Sequence, residues 1–75
     1  MKYTALLNKL NGKYNYTLEE HNILVISKGT KEVGVAYTNK VLTLLASTPE
    51  EDAVAIYEGK LNNKLAAKLI ANYLK

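Results

Sequence analysis

The hydrophobic residues at the start of the chain repeat with the period of an α-helix. Four of them fall at positions i, i+3, i+4 and i+7: Tyr3, Leu6, Leu7 and Leu10. This spacing places them on one face of a helix. Gly12 follows at the place where a glycine in the left-handed conformation commonly ends a helix. The pattern predicts a helix over residues 2–11.

The period then changes to two, as in a β-strand with one buried face. The alternating residues of the first strand are Tyr14, Tyr16 and Leu18. After a polar turn at 19–22, residues 23–26 are apolar at every position, which predicts a central strand covered on both faces. A turn containing Gly29 leads into a third strand. Large and small residues alternate along it: Val33, Gly34, Val35, Ala36 and Tyr37.

Residues 38–47 suit two structures. A helix capped by Asn39 would present an apolar face, whereas a hairpin turn at Thr38 and Asn39 would lead into a fourth strand. The apolar run at 41–45 fits both. The segment 40–46 is therefore open between strand and helix, with the strand slightly favoured.

The strongest signal for the start of a helix is the sequence Thr48-Pro49-Glu50-Glu51. It offers an N-cap residue, a proline at the first helical position and a glutamate at the third, as in a capping box. Acidic residues also suit the positive end of a helix dipole. The signal predicts a helix to about Glu58. Gly59 either ends this helix or lies inside a single helix over 49–74.

The last segment has a wide hydrophobic face. At about 100° per residue, its apolar arc covers more than half of the helix circumference. The arc is formed by Leu61, Leu65, Leu69, Ile70, Tyr73 and Leu74. An arc of this width predicts two neighbours, of which one is the sheet and the other a second helix or a partner chain. These six residues are the predicted interaction surface, and self-association is its simplest form.

Together these elements predict one α+β domain over residues 1–75. It has an N-terminal helix, a three- or four-stranded antiparallel sheet and two C-terminal helices packed on the sheet.

Composition removes several classes of protein. The 75 residues include no cysteine, so disulfides, thiolate nucleophiles and cysteine-ligated metals are excluded. The apolar run at 23–26, like every other apolar run in the sequence, is far shorter than the roughly twenty residues of a membrane-spanning helix. No secretion signal follows the first two residues. We expect a cytoplasmic protein with no membrane contact.

All ten basic residues are lysines, and the formal net charge is +3. Lys60, Lys64 and Lys68 have the spacing of one helical ridge, which can follow a phosphate backbone. Without arginine, the chain lacks the residue that most often reads guanine. Weak nucleic-acid binding without sequence preference is therefore the alternative function. The solvated edge of an amphipathic helix is the simpler interpretation of these lysines.

No pattern in the sequence points to catalysis, a metal or a cofactor. His21 lies beside two glutamates, which we interpret as a solvated turn because no further ligands converge there. Gly29 and Gly34 have the spacing of a phosphate-binding loop, but the lysine and hydroxyl residue that must follow are missing. We expect a protein that is not an enzyme, with no catalytic residue, no metal site and no cofactor.

A resemblance rests on three segments that follow a short helix: Lys13–Thr17, Asn22–Ile26 and Glu32–Tyr37. A C-terminal helix with the pattern Leu-Ile-x-x-Tyr-Leu comes after them. This run resembles small uncharacterised proteins encoded by bacteriophages of Gram-positive bacteria. Many phage proteins of this size act by binding a host or phage protein, and this is what the resemblance implies here. The expected function is a non-catalytic protein–protein interaction module.

Overall fold

The computed structural model describes residues 3–75, which form a five-stranded antiparallel sheet with one helix before it and one after it. In chain order the elements are α1 (Thr4–Lys9), β1 (Asn15–Glu19), β2 (Ile23–Lys28), β3 (Lys31–Thr38), β4 (Val41–Thr48), β5 (Glu51–Gly59) and α2 (Asn63–Tyr73). A single 3-10 turn at Glu20–Asn22 joins β1 to β2. The predicted N-terminal helix is confirmed, but α1 is shorter than the predicted range 2–11, of which Lys2 lies outside the described residues.

Each strand pairs with the next one along the chain, so the sheet is a meander in the order β1-β2-β3-β4-β5. Tight turns make this possible. The β2–β3 loop has two residues, and its first, Gly29, has a φ of 63°. This is the arrangement of a type II′ turn, in which glycine is preferred at that place. The segment 40–46, which the sequence left open, is part of strand β4.

The hydrophobic core lies on one face of the sheet. In β2, β3 and β4 the buried residues alternate along each strand: Leu24, Ile26, Val33, Val35, Leu42, Leu44 and Ala46. The pairing register places all of them on the same face. The helices supply the other buried residues of the same cluster: Tyr3, Leu6 and Leu10 at α1, and Ala66, Ala67, Ile70 and Leu74 at α2. Both helices therefore cover the same face.

The prediction that β2 is covered on both faces is wrong. Leu24 and Ile26 are fully buried, but Ile23 is 37% exposed and Val25 is only half-buried. The reason is the placement of the helices. Because α1 and α2 contribute to one core cluster on one side of the sheet, no element of the described chain remains to cover the other side.

The predicted helix from Thr48 to Glu58 is also wrong, because this segment is the turn into β5 and β5 itself. Thr48 pairs with Glu51, so Pro49 and Glu50 form a two-residue hairpin loop. Proline is favoured at the first helical position, but equally at the second position of a β-turn, so the signal was ambiguous. The hydroxyl oxygen of Thr48 caps no helix and is buried without a hydrogen-bond partner.

The last helix begins later than the sequence suggested. Asn62 is its N-cap, and the side-chain oxygen of Asn62 accepts a hydrogen bond from the backbone N–H of Leu65 at 3.0 Å. The predicted fold must therefore be corrected in two respects. The sheet has five strands rather than three or four, and one helix rather than two follows it. The α+β class and the N-terminal helix are confirmed.

Candidate interaction surfaces

The six apolar residues predicted as an interaction surface are mostly inside the protein. Ile70 and Leu74 are fully buried, and Leu69 and Tyr73 are partly buried against the core. Leu65 is half-buried, and only Leu61, which precedes α2, is largely exposed, at 48%. The wide arc is explained by two neighbours within the chain, because α2 packs on the sheet with one flank and on α1 with the other.

The predicted lysine ridge is not one ridge in the structure. Lys60 lies before α2, and only Lys64 and Lys68 are on the helix. All three are exposed. Lys68 lines a groove between the two helices that Lys9 and Lys13 also line. The sequence could not indicate this grouping, because the three residues come from α1, from the loop after it and from α2.

The face of the sheet opposite the helices, called here the open face, is covered by neither helix. The pairing register aligns one residue of each strand in a row across the centre of this face: Thr17, Val25, Gly34, Leu45 and Ala55. We call these five residues the central row. Three of them, Val25, Leu45 and Ala55, have apolar side chains, and Leu45 is 40% exposed. Two other exposed apolar residues on the same face, Ile23 and Val41, extend this surface.

Three glutamates flank the central row. Glu19 pairs with Ile23, and Glu58 pairs with Thr43, in the row on one side of it. Glu32 lies in the row on the other side, between Ser27 and Ser47. We call Glu19, Glu32 and Glu58 the rim glutamates.

No lysine of the described strands lies on the open face. The two strand lysines, Lys28 and Lys31, pair with each other on the helix side. The ammonium group of Lys31 lies 5.8 Å from the centre of the Tyr73 ring of α2, which confirms that side. A cation at this distance from an aromatic face is held by a weak cation–π attraction. The open face thus combines an apolar centre with charges of one sign.

Gly34 occupies the centre of the central row, and the fold does not need a glycine there. Its backbone is ordinary extended strand, and an added Cβ would meet only the backbone oxygen of Leu45, at 3.9 Å, which is normal contact. Glycine inside a strand lowers stability by roughly 0.5–1 kcal/mol relative to alanine. Glycine in a strand often marks a place where another molecule approaches the backbone closely.

The remaining polar candidates form no site. His21 lies exposed in the 3-10 turn with a φ of 61°, as the interpretation of a solvated turn implies. Within residues 3–75, no three side chains of histidine, aspartate or glutamate are placed to hold a metal ion. None of the helices in this range has the length and apolar character needed to cross a membrane.

Comparisons with models of protein families, with curated proteins and with solved structures found no match to this chain. The resemblance to small phage proteins therefore stays a prediction. Among the described surfaces, the open face has an apolar centre flanked by acidic side chains.

Proposed function

We propose that the protein is a non-catalytic interaction module that binds a partner protein on its open face. The observation that carries this proposal is the uncovered apolar central row with Gly34 in its middle. Antiparallel sheets with one face in solvent usually place polar residues on that face. On the open face these positions are instead occupied by Val25, Leu45 and Ala55. Apolar residues of this kind form the centre of a protein interface.

The chemistry of the open face also describes the partner. An apolar strip bordered by the rim glutamates fits a protein surface with an apolar centre and lysines or arginines around it. Complementary charge at the edge of an interface speeds association and rejects wrong partners more than it adds affinity. The resemblance to phage proteins, many of which act by binding another protein, agrees with this function.

The first experiment compares two variants of the full chain as bait in an extract of the source cell. Leu45→Glu places a charge in the central row, and Leu61→Glu places the same charge on an exposed residue of the sequence-predicted surface around α2. We expect one protein to be captured by the unmodified chain and by Leu61→Glu, but lost with Leu45→Glu. Loss with Leu61→Glu alone would instead place the interface at α2 and overturn the proposal.

Capture is followed by a direct measurement with the purified partner. Its footprint, mapped by NMR chemical-shift changes, should fall on β2, β3 and β4 at the open face, and its association rate should fall as salt is added. Changes confined to the helix side would contradict the proposal. Gly34→Ala separates binding from folding. It should raise the free energy of unfolding, by up to about 1 kcal/mol, and weaken the complex.

A further inference from the structure

A groove between α1 and α2 concentrates positive charge on the side of the molecule opposite the open face. It has a volume of about 230 Å³, and three of the residues that line it are Lys9, Lys13 and Lys68. They come from the end of α1, from the loop that follows it and from α2. Among the residues that the structure describes, no acidic side chain lines the groove.

Within residues 3–75, the three lysines have no counterion. None of them forms an ion pair or a side-chain hydrogen bond with another residue in the described part of the chain. Like charges gathered in a concave surface repel one another and raise the local concentration of anions. The groove therefore presents three ammonium groups, with nine donor hydrogens between them, to a ligand from outside.

The rest of the groove limits the ligand's size and shape. Ala67 and Ala71, one helical turn apart on α2, leave the space between the helices open. The volume is below the roughly 300–1,000 Å³ of pockets that enclose a drug-sized molecule, so the groove accepts a charged group and part of what is attached to it. Tyr14 is half-buried at the groove and offers an aromatic ring. A ring in this position can stack on a planar heterocycle.

We propose that this groove is a binding site for a phosphate group joined to a nucleoside. The lysines hold the phosphate, and Tyr14 contacts the sugar or the base. A free nucleotide and a segment of single-stranded nucleic acid both offer this chemistry, and the test includes both. This site shares no residue with the open face, so its test is independent of the test of the proposed function.

The test is an NMR titration of the full chain with inorganic phosphate, ADP and a short oligothymidylate, at low salt. ADP is expected to shift the amide signals of residues 9–14 and 67–71. Inorganic phosphate should shift the same signals more weakly, since it offers nothing to Tyr14. If the oligonucleotide binds more tightly than ADP at these signals, the source is nucleic acid; if ADP binds as tightly or better, the source is a free nucleotide.

Two variants with the same change in net charge separate a site from general attraction. Lys68→Gln removes a lysine from the groove, and Lys64→Gln removes an exposed lysine of the same helix that does not line it. Lys68→Gln should raise the Kd for ADP about fivefold, since a charge-assisted hydrogen bond to phosphate is lost. Lys64→Gln should leave the Kd nearly unchanged. Thermal melts confirm that both variants fold.

Two results would overturn the proposal. One is the absence of any shift at residues 9–14 and 67–71 at millimolar ADP. The other is an equal loss of affinity in Lys64→Gln and Lys68→Gln, because this would show diffuse attraction to a basic surface rather than a site.

Discussion

The hydroxyl group of Tyr3 completes the sheet at a point where two strands separate. It donates a hydrogen bond to the backbone oxygen of Asn22 at 2.5 Å and accepts one from the backbone N–H of Tyr37 at 3.2 Å. If the β2–β3 register continued by two more pairs beyond Leu24 and Val35, Asn22 and Tyr37 would face each other. The strand cannot continue, because Asn22 has a φ of 59°. Tyr3, only 4% exposed, fills the gap and ties α1 to the sheet.

We therefore expect Tyr3→Phe to lower the free energy of unfolding by about 1–3 kcal/mol, since it removes two part-buried hydrogen bonds that contribute about 0.5–1.5 kcal/mol each. Urea denaturation measures this difference. The matched control is Tyr16→Phe, which removes a hydroxyl from a side chain that is 54% exposed and should have no measurable effect. Equal stability of Tyr3→Phe and the unmodified protein would show that the Tyr3 hydroxyl contributes nothing.

Contacts between residues of different elements could not be predicted from the sequence. The helical spacing placed Tyr3 on the buried face of α1 correctly, but its polar role depends on two strand ends that are 19 and 34 residues away. The grouping of Lys9, Lys13 and Lys68 likewise depends on how separate elements come together. Spacing along the chain relates residues within one element, whereas these contacts join several elements.

The turn between β3 and β4 has a sequence that is poorly adapted to its backbone conformation. Thr38 pairs with Val41, so Asn39 and Lys40 form a two-residue loop, and both have positive φ, at 54° and 64°. This is the arrangement of a type I′ turn, for which Asn-Gly is the favoured sequence. Asparagine tolerates the left-handed conformation, but a lysine there costs about 1 kcal/mol or more.

Lys40→Gly should accordingly raise the free energy of unfolding by about 1 kcal/mol, because glycine adopts a positive φ without strain. Thermal or urea denaturation measures the change. Lys40→Ala removes the same charge but keeps the Cβ, and it should not stabilise the protein. If both variants stabilise it equally, the gain comes from charge, and the strain argument fails.

The local period of the hydrophobic residues predicted the type of most helices and strands correctly. It predicted α1, the first three strands and the existence of the last helix. It failed for β5 because the pairing with β4 shifts there: Leu44 faces Tyr57 while Leu45 faces Ala55, which leaves Ile56 without a partner. A bulge of this kind breaks the alternation that identifies a strand.

The two edge strands show how the fold limits unwanted pairing. β5 carries two irregularities of register and begins with Glu51 and Asp52, and β1 is only five residues long. Irregular, charged and short edges are poor templates for another strand. This favours contacts through a face of the sheet rather than through its edges, in agreement with the proposed function.

The candidate surfaces could not be predicted from the sequence because they depend on which side of the sheet the helices occupy. The apolar arc of α2 correctly indicated two neighbours, but both lie within the chain. Val25 and Leu45 belong to runs of apolar residues typical of buried strands, and they are left uncovered because both helices share the other side. A one-sided arrangement is a property of the assembled molecule.

The molecule as a whole separates its charges by side. The rim glutamates lie on the open face, whereas Lys28, Lys31 and the lysines of the groove lie on the helix side. The net charge of +3 is therefore not spread evenly over the surface. The acidic residues at 50–52, which the sequence assigned to a helix dipole, belong instead to the β4–β5 turn and to β5.

This separation predicts how the protein avoids pairing with itself. In a two-fold symmetric contact between open faces with the axis along the strands, over β3, the apolar central rows would meet. Glu19 of one copy would then approach Glu58 of the other, and the two copies of Glu32 would approach each other. Like charges brought together at an interface oppose association by up to several kcal/mol. We expect the unmodified chain to remain monomeric, with its open face kept available for a partner of the opposite charge.

Replacing the rim glutamates with glutamine, in the triple variant Glu19→Gln, Glu32→Gln and Glu58→Gln, should therefore allow dimers to form at high protein concentration. Sedimentation velocity measures the mass.

The control is Glu20→Gln, Glu50→Gln and Glu51→Gln, which removes the same charge at exposed positions of two turns and at the start of β5. Both variants become more positive overall, which alone disfavours association. Dimers formed by the rim variant only would thus show that the rim glutamates prevent self-association through the open face. A dimeric unmodified protein, or a rim variant that stays monomeric, would contradict this role.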